Sequence, residues 1–246
     1  MNINYDKKLS KISFYEKHPE YLPYIGDNYE KYKILHIGES HYIAQTYDNE
    51  KYNLNYFMAH WWNGTYNELK SEYADWYNTR LVVNNYLSGD RKKGHLIFTN
   101  VVKEFSRTVL DEEIHHINRQ NSQNYNYFAF MNFFQMPSLY KGLKFWNSIE
   151  KSAVNREAAE EAWDYIVKVS TDVTDEVIDI IKPNLVVFTS KSAYDAYKSN
   201  NESHSKDNYI IGIPHPCCSY WNKSCKEYGN LSGKELFEKN LIKFIR

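Results

Sequence analysis

Short apolar runs alternate along this chain with longer stretches of helical periodicity. The residues Lys33 to Ile37, Tyr127 to Phe134, Leu185 to Thr189 and Tyr209 to Ile213 read as buried strands, each closed by Gly, Pro or polar residues. Between the second and third runs, Asn155 to Ile181 predicts a long amphipathic helix with Ala158, Ala162, Ile166 and Val169 on one face, restarting at Thr174 and stopped by Pro183. Lys191 to Lys198 predicts a short helix. Ser232 to Ile245 predicts a last one, opened by a capping box from Ser232 to Glu235. Residues 11–30 read as helical but carry Pro19 and Pro23, so they form an irregular N-terminal layer. Asn53 to Leu87 is aromatic and helical with a turn at Asn63-Gly64, and His95 to Leu110 is apolar enough for either strand or helix. Alternation of strand and helix predicts an α/β fold, a three-layer α/β/α arrangement around a mainly parallel four-stranded sheet. A single domain over residues 1–246 follows, with residues 43–95 as a helical insertion.

Two of the predicted strands run into loops rich in chemistry. Ile34-Leu35-His36-Ile37 leads into Gly38-Glu39-Ser40-His41-Tyr42, and Ile210-Ile211-Gly212-Ile213 leads into Pro214-His215-Pro216. Open α/β sheets place their ligand sites outside the carboxyl ends of the strands, so these loops predict the two sides of a cleft.

Composition narrows the picture without naming a reaction. The 246 residues carry 30 basic and 31 acidic side chains, a net charge of −1, so any polyanion must be met by a local patch. Arg91-Lys92-Lys93 and the lysines between Lys223 and Lys243 are the candidates, and each reads equally as solvated surface. No apolar stretch reaches the ~20 residues that span a bilayer, and Met1 to Ser10 lacks the apolar centre of a signal peptide. Three crowded cysteines, Cys217, Cys218 and Cys225, supply neither a disulfide framework nor the four thiolates of an iron–sulfur cluster. A cytoplasmic protein without metal or cofactor is expected. His115-His116 beside Glu112 and Glu113 lacks metal-ligand spacing and reads as a solvated helix face. Gly38 stands alone, so there is no phosphate-binding glycine loop. A thiol nucleophile at Cys217 or Cys218 would need a suitably oriented base.

The loop residues carry a resemblance to the uracil-DNA glycosylase superfamily, spread over roughly residues 33–221. Gly38-Glu39-Ser40-His41-Tyr42 occupies the place of a first motif of the form Gly-Gln-Asp-Pro-Tyr-His or Gly-Glu-x-Pro-Gly. His215-Pro216-Cys217-Cys218-Ser219-Tyr220 keeps the first two residues of the last motif, His-Pro-Ser-Pro-Leu-Ser. Between them, Ile181 to Val187 and Ser192-Ala193-Tyr194 are similar to the family's third strand and following helix. The resemblance implies excision of uracil or another altered base after base flipping, with DNA or another nucleobase-containing ligand as partner. It gives Glu39 and His215 catalytic roles, the carboxylate beside the sugar and the imidazole at the base oxygen. It lines the base pocket with Gly38, Ser40, His41, Tyr42 and Asn132. Asn100, in a Thr-Asn-Val-Val-Lys stretch, is second choice for the amide that reads the base. Phe57 is the candidate for stacking on the base; Pro216, Ser219, Tyr220 and Trp221 would contact nucleic acid. Ser40 stands where one branch has its catalytic aspartate, and His41 replaces a proline. The alternative is a non-catalytic module on the same fold that binds a nucleobase, nucleotide or nucleic acid.

Overall fold

A computed structural model describes residues 1–43, 53–65, 77–89, 95–201, 207 and 209–246. Its centre is a five-stranded, mostly parallel sheet made of β1 (Tyr24–Ile25), β2 (Ile34–Gly38), β3 (Phe128–Asn132), β4 (Leu185–Phe188) and β5 (Ile210–Gly212), in the order β1-β3-β2-β4-β5. Four strands run parallel, whereas β1 pairs antiparallel with β3. The expected four-stranded sheet is thus corrected to five. The added strand comes from the predicted helical N-terminal layer. Pro23 ends the short 3₁₀ turn Pro19–Tyr21 and its neighbours, and the two residues that follow pair along an edge, where brief strands next to proline are tolerated.

Among the described residues, the helices of seven or more residues are α1 (Leu54–His60), α2 (Thr79–Leu87), α3 (Leu96–Val109), α4 (Phe145–Ser152), α5 (Arg156–Ile181), α6 (Lys191–Asn200) and α7 (Gly233–Phe244). The stretch 95–110, open between strand and helix, is therefore helical. Asn155 caps α5 by accepting from the Ala158 N–H, and the helix runs unbroken past Thr174. It ends where Lys182 turns left-handed ahead of Pro183. The capping box of α7 forms in both directions between Ser232 and Glu235.

Every residue of β2, β3 and β4 is buried, as expected for parallel strands covered on both faces. Alternation sorts them. Leu35, Ile37, Met131 and Phe188 pack with α1, α4, α5 and α6 on one face, while Ile34, Phe130 and Val187 pack with α2, α3 and α7 on the other. His36 takes a core position on the second face.

The chain leaves β2 toward β3 on one side, then crosses over β2 to reach β4 on the other. Successive connections diverge there, so a crevice opens between the carboxyl ends of β2 and β4. No described helix is long and apolar enough to cross a membrane.

Candidate functional site

The register of the sheet sets the first contact. Gly38 lies directly across from Asn132, the last residues of β2 and β3. A Cβ on Gly38 would sit 2.3 Å from Asn132 Oδ1 and 3.3 Å from the Phe130 ring. Only glycine leaves room for the Asn132 side chain to fold over the strand end. That amide is 8% exposed and has no hydrogen-bonding partner among the described residues. Ser40 is 9% exposed and its hydroxyl is likewise unpartnered among them. Neither side chain is among the fully enclosed polar groups that lack a partner, so both stay open to water or a ligand.

Glu39 stands at the crevice and is held at both oxygens. Oε1 accepts the backbone N–H of Phe145 at 3.1 Å, and Oε2 accepts the Ser190 hydroxyl at 2.9 Å. Ser190 caps α6, accepting from the Ala193 N–H while donating to Glu39, so one hydroxyl ties the start of α6 to the loop after β2. The backbone is fixed too: Phe133 N–H donates to Gly38 O and Phe134 N–H to Glu39 O. These bonds pin the carboxylate in one orientation.

His215 follows β5 and reaches the same place. Its Nδ1 accepts the Cys217 backbone N–H at 3.1 Å, so the neutral ring carries its proton on Nε2. Burial pushes the imidazole below its ordinary value, and the negative charge of Glu39 opposes that shift in part. Burial and, to a smaller extent, Glu39 raise the Tyr42 phenol. The strand ends therefore bring a neutral imidazole and a phenol near a fixed carboxylate, with the Asn132 amide over the neighbouring Gly38.

Asn100, the second-choice amide, is hydrogen-bonded to the loop after β5. From α3 its Nδ2 donates to the Pro216 carbonyl at 2.7 Å, which fastens the loop just after His215. Beneath the site, Tyr125 donates to His36 Nδ1 (2.6 Å), His36 Nε2 donates to Thr189 Oγ1 (2.9 Å), and Thr189 donates to the Ile37 carbonyl (3.1 Å). This is the proton arrangement that satisfies all three contacts. Burial, with a smaller push from His215, brings the His36 pKa down to about 3. The network thus stays uncharged while bracing β2 against β4.

Other expected site residues lie elsewhere. His41 is buried against the N-terminal layer, its Nε2 3.0 Å from Thr79 Oγ1 and its ring edge-on to Tyr21. Burial brings it down to about 3, so it packs as a neutral ring and is not a pocket group. Phe57 is fully buried beside Trp61 in the core and offers no face for stacking. Trp221, expected at a nucleic-acid surface, is 4% exposed and covers Gly233 and Phe237. Pro216 is also buried, so of the four residues expected to contact nucleic acid only Ser219 and Tyr220 are exposed.

His115 and His116 sit in an exposed bend, not on a helix, and no three His, Cys, Asp or Glu gather into a ligand set among the described residues. Burial and the neighbouring Cys218 raise the Cys217 thiol, which disfavours a thiolate. Arg91-Lys92-Lys93 lies outside the described residues.

Sequence reasoning missed Ser190, the Phe145 N–H and the His36 network. Ser190 had a usable signal, a serine between a strand and a helix, and His36 had another, a polar residue inside an apolar strand. Nothing in the sequence marks a backbone N–H more than a hundred residues from its acceptor. Compared with protein-family models, curated proteins and solved structures, the chain matches none of them.

Proposed function

We propose that this protein is a cytoplasmic, monofunctional glycosylase-like enzyme of the uracil-DNA glycosylase type, which excises uracil or another altered base from DNA by hydrolysing the N-glycosidic bond. The observation that carries the reading is the partnerless Asn132 amide folded over Gly38 beside Glu39 and His215. A carboxamide offers one donor and one acceptor side by side, which suits the edge of an extruded base.

In this reading the departing base gains negative charge and the sugar becomes electron-deficient. His215 is neutral with its proton on Nε2, the form that donates to a base oxygen as charge develops there. Glu39 accepts two neutral donors, which hold its carboxylate in a fixed place. That arrangement suits electrostatic support of the sugar cation better than mobile proton transfer. Tyr42 walls the crevice.

One observation favours the binding-module reading. Both Glu39 oxygens are already engaged, and Ser40 supplies no carboxylate, so neither residue stands ready as a general base for water.

The deciding experiment is base excision on labelled single- and double-stranded oligonucleotides containing uracil, hypoxanthine or xanthine, with alkaline cleavage at abasic sites. Strand cleavage that falls by about 10²–10³ in Glu39→Gln and in His215→Ala supports the enzyme. Wild-type rates in both variants refute the site. Absence of cleavage with retained nucleobase binding, lost in Asn132→Ala, selects the binding module.

A further inference from the structure

A second concave surface lies beside the crevice, at the open edge of the sheet. A groove of about 350 Å³ is lined by Tyr194 from α6, Ile211 and Gly212 from β5, and Leu236, Lys239, Asn240 and Lys243 from α7. Its lining contains two cations and no acid. Lys239 and Lys243 are exposed, lie one turn apart on the same helix face, and make no ion pair among the described residues. The acids of α6 and α7 are engaged elsewhere: Asp195 with Lys191, Glu238 with Arg107 on the far side of α7, and Glu235, one turn before Lys239, with the Ser232 N–H and hydroxyl.

The edge strand adds backbone to the lining. Val186 N–H donates to Tyr209 O and Ile213 N–H donates to Phe188 O, so alternate residues of β5 face β4 and Gly212 turns its peptide groups to the open edge. The Tyr194 ring lies directly on Gly212; a Cβ there would meet the ring at 2.4 Å. An aromatic ring next to a cationic groove is the combination that holds single-stranded nucleic acid, the cations tracking phosphates and the ring taking a base. Gly212 is three residues from His215, a reach of at most about 11 Å. Nucleotides flanking a base in the crevice are therefore close enough to enter the groove.

We infer that the groove formed by Tyr194, Gly212, Lys239, Asn240 and Lys243 is a binding site for the phosphodiester backbone of single-stranded nucleic acid. The nucleic-acid identity of the ligand rests on the functional reading above; its anionic character rests on the groove alone.

The test is fluorescence anisotropy of a short, unmodified, fluorescein-labelled single-stranded oligodeoxynucleotide over a series of salt concentrations. Lys239→Gln/Lys243→Gln should weaken binding and lower the slope of log affinity against log salt by about 1.4, or about 0.7 for each phosphate no longer neutralised. Tyr194→Leu should weaken binding by about fivefold to a hundredfold with the slope unchanged. Lys168→Gln, an exposed lysine on α5, should leave both as in wild type. Circular dichroism verifies that each variant keeps the fold before its binding is compared, since the half-buried Tyr194 also packs on Phe188. Unchanged affinity and slope in the double variant overturn the inference, as does wild-type protein that binds no oligonucleotide. Equal competition by polyglutamate shows a site for acidic peptide instead and likewise overturns it. The probe carries no altered base, so the groove is judged separately from excision. A lowered slope without excision upholds the groove and sinks the glycosylase reading; excision with an unaltered slope does the reverse.

Discussion

Replacing Gly38 by alanine isolates the contact on which the proposed base pocket depends. The new methyl group would lie 2.3 Å from Asn132 Oδ1, well inside van der Waals contact, so the Asn132 side chain must leave its place. Gly38 is not among the glycines with positive φ, so alanine meets no backbone strain there. Overpacking a buried site costs about 1–3 kcal/mol, and exchanging glycine for alanine within a strand returns about 0.5–1 kcal/mol. The net loss is therefore between about 0 and 2.5 kcal/mol, read as a fall in Tm of up to about 10 °C for a chain of this size. Nucleobase binding should vanish although Glu39 and His215 are untouched. Adding Asn132→Ala removes the atom that clashes, so Gly38→Ala/Asn132→Ala should recover stability without recovering binding. Urea unfolding of the four proteins in this cycle should give a coupling of about 1 kcal/mol or more. Additivity within about 0.5 kcal/mol would show that the two side chains do not share this space, and the proposed pocket would be wrong.

Asn100→Ala should cost about 0.5–1.5 kcal/mol by releasing the Pro216 carbonyl, and should lower excision about tenfold as the His215 loop loosens; unchanged excision would remove Asn100 from the positioning of that loop. Trp221→Ala should destabilise by about 3–5 kcal/mol in denaturant unfolding, whereas Tyr220→Ala should stay within about 0.5 kcal/mol of wild type. A reversed order would place Trp221 at the surface after all. Acid stability follows from His36 and His41, each held down to about 3 in the folded protein by burial. Below about 6.5 the unfolded chain binds these protons and the folded chain does not, so stability present at neutral pH is lost as pH falls toward 3. Each histidine contributes a slope of about 1.4 kcal/mol per pH unit in that window. Urea unfolding of His41→Phe between neutral and mildly acid pH should show a slope lower by about that amount; an undiminished slope would mean that His41 is solvated.

Much of the architecture was legible because it depends on near neighbours along the chain. The runs that became β2 to β5 are apolar on both faces, α5 is bounded by Asn155 and Pro183, and the Ser232–Glu235 capping box acts within one helical turn. Such patterns report burial and local hydrogen bonding, which sequence spacing encodes directly. They also placed Gly38, Glu39 and His215 at strand ends, where a sheet of this class opens its crevice. The edge strand Tyr24–Ile25 escaped because two residues carry no periodicity, and its pairing depends on β3 more than a hundred positions away.

The partners of the loop residues were decided by tertiary structure alone. His41 and Glu39 stand two residues apart in one loop, yet one is turned into the aromatic N-terminal layer while the other is held at the crevice by Ser190 and Phe145. Asn100 and Asn132 both follow or precede apolar residues. Only the fold shows that the first is spent on the Pro216 carbonyl and the second is left without a partner over Gly38. Trp221, next to an exposed tyrosine, is buried by a helix that begins twelve residues later. In this protein the sequence by itself determined which residue types stand at the ends of the strands, because burial and backbone periodicity are local. Which of them come together was settled by register and crossover, which join groups more than 150 residues apart.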